Sequence, residues 1–291
     1  MNNRIVLGTA QFGMNYGINN KRGKIPYSEV VEILKFAFDN GIDTLDTASS
    51  YGESEEILGK IIDNSSLEFN IISKLPNVKN EENVESIFYE TLERLKQKKI
   101  YGYLFHSFET FTNHQYIFDI FQKLKHSKKI GKIGFSLYYP SEIDYLFENN
   151  IDFDIVQIPY SIFDQRFENY LPLLKKRDIE IHVRSVFLQG LFFKKPDELN
   201  GNFIRIRDKL KTINQISKNM NTPIASICLK FALMNENIDK VVVGVDSIEN
   251  LKENIRGIKG KKIDDKYFNL LRNMRVEDEN IILPFRWKFL T

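Results

Sequence analysis

Short apolar runs, mostly with β-branched residues, alternate along this sequence with longer stretches of helical period, and the alternation repeats eight times. Such a chain is committed to βαβ units around a parallel sheet, because consecutive parallel strands need a crossover, usually a helix. Strands are expected at Arg4–Leu7, Thr44–Asp46, Asn70–Lys74, Tyr101–His106, Lys132–Ser136, Ile155–Gln157, Glu180–Arg184 and Lys240–Val243. Eight units in 291 residues suit one closed β/α barrel, which needs about 250 residues before insertions. The expected fold class is therefore α/β, a (β/α)8 TIM barrel.

Between the first two strands, Ser28 is placed as the cap of a helix whose Val30, Val31, Leu34, Ala37 and Phe38 share one face, with Gly41 as its stop. Further helices are expected at Ser54–Ile62, Val84–Leu95, Gln115–Lys125, Ser141–Glu148, Glu168–Lys176 and Ser247–Arg256, with two more, Phe203–Lys218 and Pro223–Met234, before the last strand. No linker or low-complexity tract interrupts the pattern, so residues 1–291 are read as a single domain. The segment at about 264–291 is read as a closing helix and tail that folds over the active site.

The strands repeatedly finish on a polar residue: Asp46, Lys74, His106, Ser136, Gln157 and Arg184, at intervals of 28, 32, 30, 21 and 27 residues. Each interval is near the length of one βα unit, so successive units place these groups around one rim. In β/α barrels the active site lies at the C-terminal ends of the strands. Tyr51 follows Asp46 by five residues in the next loop. A tyrosine phenol has a free pKa of about 10, and a neighbouring lysine ammonium is expected to lower it while an aspartate holds the lysine charged. His106 can orient a carbonyl group across the site. Together these supply a proton donor and polar groups where negative charge develops as hydride adds to C=O.

Composition excludes several other classes. With 41 Lys plus Arg against 39 Asp plus Glu the net charge is +2, which gives no general reason to bind nucleic acid or anionic lipid. A lone cysteine, Cys228, allows no intramolecular disulfide and no Cys-rich zinc site, and its apolar setting reads as core. No metal site is expected, and no stretch reaches the length of a membrane span. A cytoplasmic protein without nucleic-acid or membrane partners is expected. Oligomeric state cannot be read from the sequence.

The segment Gly41-Ile42-Asp43-Thr44-Leu45-Asp46-Thr47-Ala48, followed by Tyr51-Gly52 and Glu55-Glu56-Ile57-Leu58-Gly59, resembles the signature of the aldo-keto reductases. The resemblance continues through Ile72-Ser73-Lys74, Leu104-Phe105-His106, Gly134-Phe135-Ser136, Val156–Tyr160, Gln189-Gly190-Leu191 and Val241–Asn254, so it covers nearly the whole chain. It implies a tetrad of Tyr51 as general acid, Lys74 and Asp46 as its tuning pair, and His106 as substrate orienter. It also implies hydride transfer from a nicotinamide held without a Rossmann fold, in line with the missing G-x-G-x-x-G. Ser136 and Gln157 match positions that bond the nicotinamide carboxamide, and Glu253 and Asn254 match adenine-end positions. Gly244, Asp246, Ser247 and Asn250 complete the implied cofactor set.

Three departures stand out. Leu137 replaces a frequent Asn; Arg184 replaces the aromatic ring that stacks on the nicotinamide, its planar guanidinium being able to stack instead; and Gly244 and Asn250 stand where many NADPH-dependent members have Lys and Arg. NADPH is the expected cofactor, with NADH as the alternative. The loops after the strands offer Phe12, Met14, Tyr16, Phe108, Tyr138, Tyr139, Phe163 and tail residue Trp287 as substrate contacts, and Arg166 and Arg286 as charges. The functional expectation is reduction of an aldehyde or ketone, sugar-derived carbonyls included. A nicotinamide-binding regulatory subunit and a redox-assisted epimerase or lyase are the alternatives.

Overall fold

The computed structural model describes residues 4–78 and 83–289. Eight parallel strands, β1 (Ile5–Gly8), β2 (Thr44–Asp46), β3 (Asn70–Leu75), β4 (Ile100–Phe105), β5 (Ile130–Ser136), β6 (Ile155–Pro159), β7 (Glu180–Arg184) and β8 (Lys240–Gly244), close in sequence order. The closing pair is β1 with β8, in which Gly8 lies beside Gly244. A (β/α)8 barrel is what the alternating pattern predicts.

Alternation along each strand divides the core in two. Leu104 faces the barrel lumen with Ile72 and Ile155, whereas its neighbours Tyr103 and Phe105 join the larger cluster under the helices. There Phe105 stacks on Phe135 with ring centroids 5.1 Å apart and on Phe121 at 4.6 Å. Much of the aromatic content is thus packing. Cys228 is buried, as core, and burial pushes its thiol far up.

The floor of the barrel is charged. Glu180 accepts from Tyr101 Oη at 2.6 Å, pairs with Lys132, and lies 2.6 Å from Nε2 of the fully buried His182. His182 Nδ1 has no partner among the described residues, so the Glu180 contact satisfies one ring nitrogen only.

Local boundaries differ from the expected ones for identifiable reasons. The first long helix, Tyr27–Asp39, begins after Pro26, whose carbonyl accepts from Glu29 N and Val30 N, so Ser28 lies inside the helix rather than capping it. Ser247 does cap the last barrel helix, Ile248–Lys259, its Oγ accepting from Asn250 N at 3.2 Å. The expected helix at 203–218 is a 3-10 stretch, Gly201–Ile206, continued by an α-helix, Arg207–Met220. His106 falls one residue past the end of β4. After the barrel come Asp265–Arg272, Glu279–Ile282 and the 3-10 turn Pro284–Phe289, anchored by buried Ile281, Ile282 and Leu283. Among the described residues no helix is long and apolar enough to cross a membrane.

Candidate active site

The strand ends bring the polar ring together on one rim. Lys74 is completely buried, and its Nζ donates to Asp46 Oδ2 at 2.8 Å and to the Thr47 carbonyl at 2.9 Å. The phenol oxygen of Tyr51 lies 3.5 Å from the same Nζ. On the other side of Asp46, Oδ1 accepts from Gln157 Nε2 at 2.7 Å. The result is one chain of contacts, Gln157 to Asp46 to Lys74 to Tyr51, drawn from strands β6, β2 and β3 and the loop after β2. The His106 ring stands edge-on to Tyr51 with centroids 5.8 Å apart, and its Nδ1 is 3.1 Å from Ser50 Oγ.

The Tyr51 loop is held from behind by groups that need close backbone approach. Gly52 has φ +56, and a Cβ there would stand 2.5 Å from the Gly13 carbonyl oxygen, so a side chain is excluded on both counts. Ser54 Oγ, fully buried, donates to the Thr9 carbonyl at 3.0 Å. Glu55, also buried, accepts from Ser73 Oγ at 2.5 Å and from Arg94 Nε at 2.8 Å, tying this loop to the strand that carries Lys74. The sequence pattern contains Glu55 but gave no sign of this role, since its partners lie 18 and 39 residues away.

The electrostatics correct one expectation. Burial pushes the Tyr51 phenol well above the ordinary tyrosine range, and the Asp46 carboxylate adds to the rise. Lys74 was expected to lower it; at 3.5 Å, and shared with Asp46 and Thr47, the ammonium does not reverse the effect. Burial also draws Lys74 below the usual lysine range, with Asp46 opposing. His106 is brought down to about 3, first by burial and then by the charges of Lys74 and Arg184. At neutral pH the pocket therefore holds a protonated phenol and an uncharged imidazole.

Ser136 and Gln157 are register partners across β5 and β6, and both are buried. The Ser136 hydroxyl and Gln157 Oε1 bond to no described residue. Together they offer a donor and an acceptor side by side, which suits a carboxamide. Arg184 closes this side of the rim, with Cζ 4.1 Å above the Tyr138 ring and Nη2 donating to the Leu137 carbonyl at 2.9 Å. One face of its guanidinium is thus taken by Tyr138.

At the β8 end, Gly244 is closely approached by Gln11, whose Nε2 is 3.4 Å from Asp246 Oδ1. Asn250 and Asn254 share a helix face one turn apart, with Glu253 exposed beside them. Arg22, from the long loop after β1, donates to the Asp246 carbonyl at 3.1 Å and pairs with Glu29, which accepts from Ile248 N. Nothing in the sequence marks Arg22, since the loop that carries it is 224 residues from Asp246.

The expected substrate contacts separate into two groups. Met14 and Tyr16 are exposed, and Tyr138, Tyr139 and Phe108 are partly buried. Phe12 and Phe163 expose no surface, and Trp287 almost none, so they are packing: Phe163 lies against Phe192 at 4.6 Å and Trp287 against Phe203 at 5.1 Å. Arg166 is bound bidentately by Asp164, and Arg286 pairs with Glu279 while donating to Tyr139 Oη. Both charges are neutralised within the fold.

The model of the Aldo/keto reductase family matches residues 4–275. The chain belongs to the aldo/keto reductase family. It is a nicotinamide-dependent oxidoreductase of that family, in line with the expectation from the Gly41–Gly59 segment. It is 25% identical over 276 residues to the uncharacterized oxidoreductase YqkF of Bacillus subtilis, covering 86% of this chain and 89% of that one. Among solved structures it resembles the holo form of the aldo-keto reductase AKR11C1 of Bacillus halodurans, with a TM-score of 0.74 at 18% identity and 94% of each chain covered. It also resembles a variant of Gox0644 solved in complex with NADPH, with a TM-score of 0.70 at 19% identity, covering 94% of this chain and 90% of that one.

Proposed function

We propose that this aldo/keto reductase reduces the carbonyl group of a small aldehyde or ketone, sugar-derived carbonyls included, to an alcohol with NADPH. The observation that carries the reading is the unbroken contact chain Gln157–Asp46–Lys74–Tyr51, ending on a phenol that stays protonated at neutral pH. NADPH, when bound, supplies the hydride. Tyr51 delivers its phenolic proton to the carbonyl oxygen as negative charge develops there. Lys74, 3.5 Å from that oxygen, stabilises the phenolate left behind, and Asp46 keeps Lys74 charged in a site where burial opposes the charge. Neutral His106 orients the carbonyl by a hydrogen bond without competing for the proton.

Ser136 and Gln157 hold the nicotinamide carboxamide through the unengaged hydroxyl and carbonyl oxygen. Ser247, Asn250, Glu253 and Asn254, on one cap and helix, would take the adenine end, together with Gly244 and Asp246. The NADPH complex of the related Gox0644 fold supports the choice of NADPH. Met14, Tyr138 and Phe108 line the substrate side.

A panel of aldehydes, ketones and sugars, followed by absorbance of the reduced cofactor, tests the reaction. Tight NADPH binding with no turnover in either direction would sink it. Dissociation constants for NADPH and NADH test the cofactor, and a clear preference for NADH overturns that choice.

A further inference from the structure

Arg184 differs from the other arginines near the mouth of the barrel. Arg166 is neutralised by Asp164 and Arg286 by Glu279, but Arg184 forms no ion pair among the described residues. It is nonetheless held in place. Tyr138 supports one face at 4.1 Å, Nη2 donates to the Leu137 carbonyl at 2.9 Å, and Nη1 lies 3.4 Å from Ser185 Oγ. A guanidinium has five N–H donors, and its remaining edge meets no acceptor among the described residues. Glu142, the carboxylate that also feels this charge, commits Oε2 to the Tyr138 and Tyr139 amides at 2.7 and 2.9 Å.

The charge of Arg184 acts on Tyr51, Lys74 and His106 alike. Arg184 is the register partner of Pro159 on β6, two residues beyond the Gln157 that bonds Asp46, so an anion on Arg184 and a carbonyl on Tyr51 meet the same rim. A partly buried, preorganised cation without a counter-ion, beside a reaction centre, is a recognition element for an anion.

We propose that the free N–H edge of Arg184 binds an anionic group, a carboxylate or a phosphate monoester, carried by the carbonyl substrate, making Arg184 a specificity-determining residue. This rests on the reductase reading above. The preferred substrates are then short oxo acids or phosphorylated carbonyl compounds. Tyr138 acts through Arg184 by holding its plane, and is a positioning residue.

The test uses the full chain saturated with NADPH and matched substrate pairs: succinic semialdehyde against butanal, and glyceraldehyde 3-phosphate against glyceraldehyde. The wild type is expected to favour at least one anionic member by about 10- to 100-fold in kcat/KM, the range of a charged hydrogen bond. The pair that responds tells carboxylate from phosphate. Arg184→Gln should bring that ratio near one by lowering kcat/KM for the anionic member far more than for its neutral partner, and Arg184→Lys should restore part of it. Equal rates within both pairs in the wild type overturn the proposal. So does a variant that loses neutral and anionic turnover together with NADPH affinity, since Arg184 would then serve the cofactor. If no carbonyl is turned over, the reductase reading fails by itself, and binding of succinate and inorganic phosphate to the NADPH-loaded chain decides this one. Binding of either that is lost in Arg184→Gln supports the anion site, and no binding of either overturns it.

Discussion

The two halves of the rim are built differently. From β2 to β3 the functional groups hold one another: Lys74 is bound by Asp46 and Thr47, Asp46 reaches across to Gln157, and Glu55 ties the Tyr51 loop to Ser73 and Arg94. From β5 to β8 the rim instead offers groups that engage no described residue, namely the Ser136 hydroxyl, Gln157 Oε1 and the Arg184 edge, with Gly244 so close to Gln11 that a side chain there would collide. The first half is finished as it stands and suits groups that must keep a fixed geometry through a reaction. The second is completed only by ligands. Changes in the first half should therefore alter rate and stability together, whereas changes in the second should alter affinity.

The largest effect is expected at the end of the finished half. Tyr51→Phe removes the proton donor and leaves the ring, and general acid catalysis is worth about 10²- to 10⁴-fold. Turnover should fall by that range with NADPH affinity kept. A variant that retains a tenth of the wild-type kcat would deny Tyr51 its role.

Lys74→Met tests whether the same half also supports the fold. It strands Asp46 as a buried charge without its cation, and such breakage costs about 3–5 kcal/mol. A marked drop in denaturation midpoint is expected, and adding Asp46→Leu should return part of it. An unchanged midpoint would mean that the pair serves chemistry alone.

The third prediction concerns pH. His106 is lowered to about 3 from a usual value near 6.5, so the unfolded chain takes up this proton first. Its contribution to stability is complete above about pH 6.5 and is lost as the pH falls from there towards 3. His106→Gln should flatten the acid limb of the stability profile, measured by denaturant midpoints between pH 4 and 7. A variant with the wild-type slope would assign that limb to carboxylates elsewhere.

These contrasts also explain what the sequence discloses. Asp46, Lys74, His106, Ser136, Gln157 and Arg184 are legible because each ends a strand, and strand ends recur with the length of a βα unit. Their mutual bonds are not legible. The Gln157–Asp46 contact spans 111 residues and depends on closure of the barrel, and Arg22 reaches Asp246 from a loop with no period at all. Loop residues were misplaced for the same reason: nothing in a loop fixes which side chain turns inward, so Phe12 and Phe163, expected at the mouth, are core. At the start of the first long helix two signals stood close together, and Pro26, with its fixed φ, prevailed over Ser28.

The smallest effect should come from the tail, where the ligand-completed half meets the C-terminus. Phe285 is exposed and meets the Tyr138 ring edge-on at 4.8 Å, and Tyr138 in turn supports Arg184. Phe285→Ala removes one aromatic contact, worth about 0.5–1.5 kcal/mol beyond its area, and loosens Tyr138 without touching the tetrad. The KM for the carbonyl substrate should rise a few-fold, with kcat and the NADPH dissociation constant nearly unchanged. A fall in kcat with KM constant would place the tail in the reaction itself, and the division between a finished half and a ligand-completed half would then fail at its boundary.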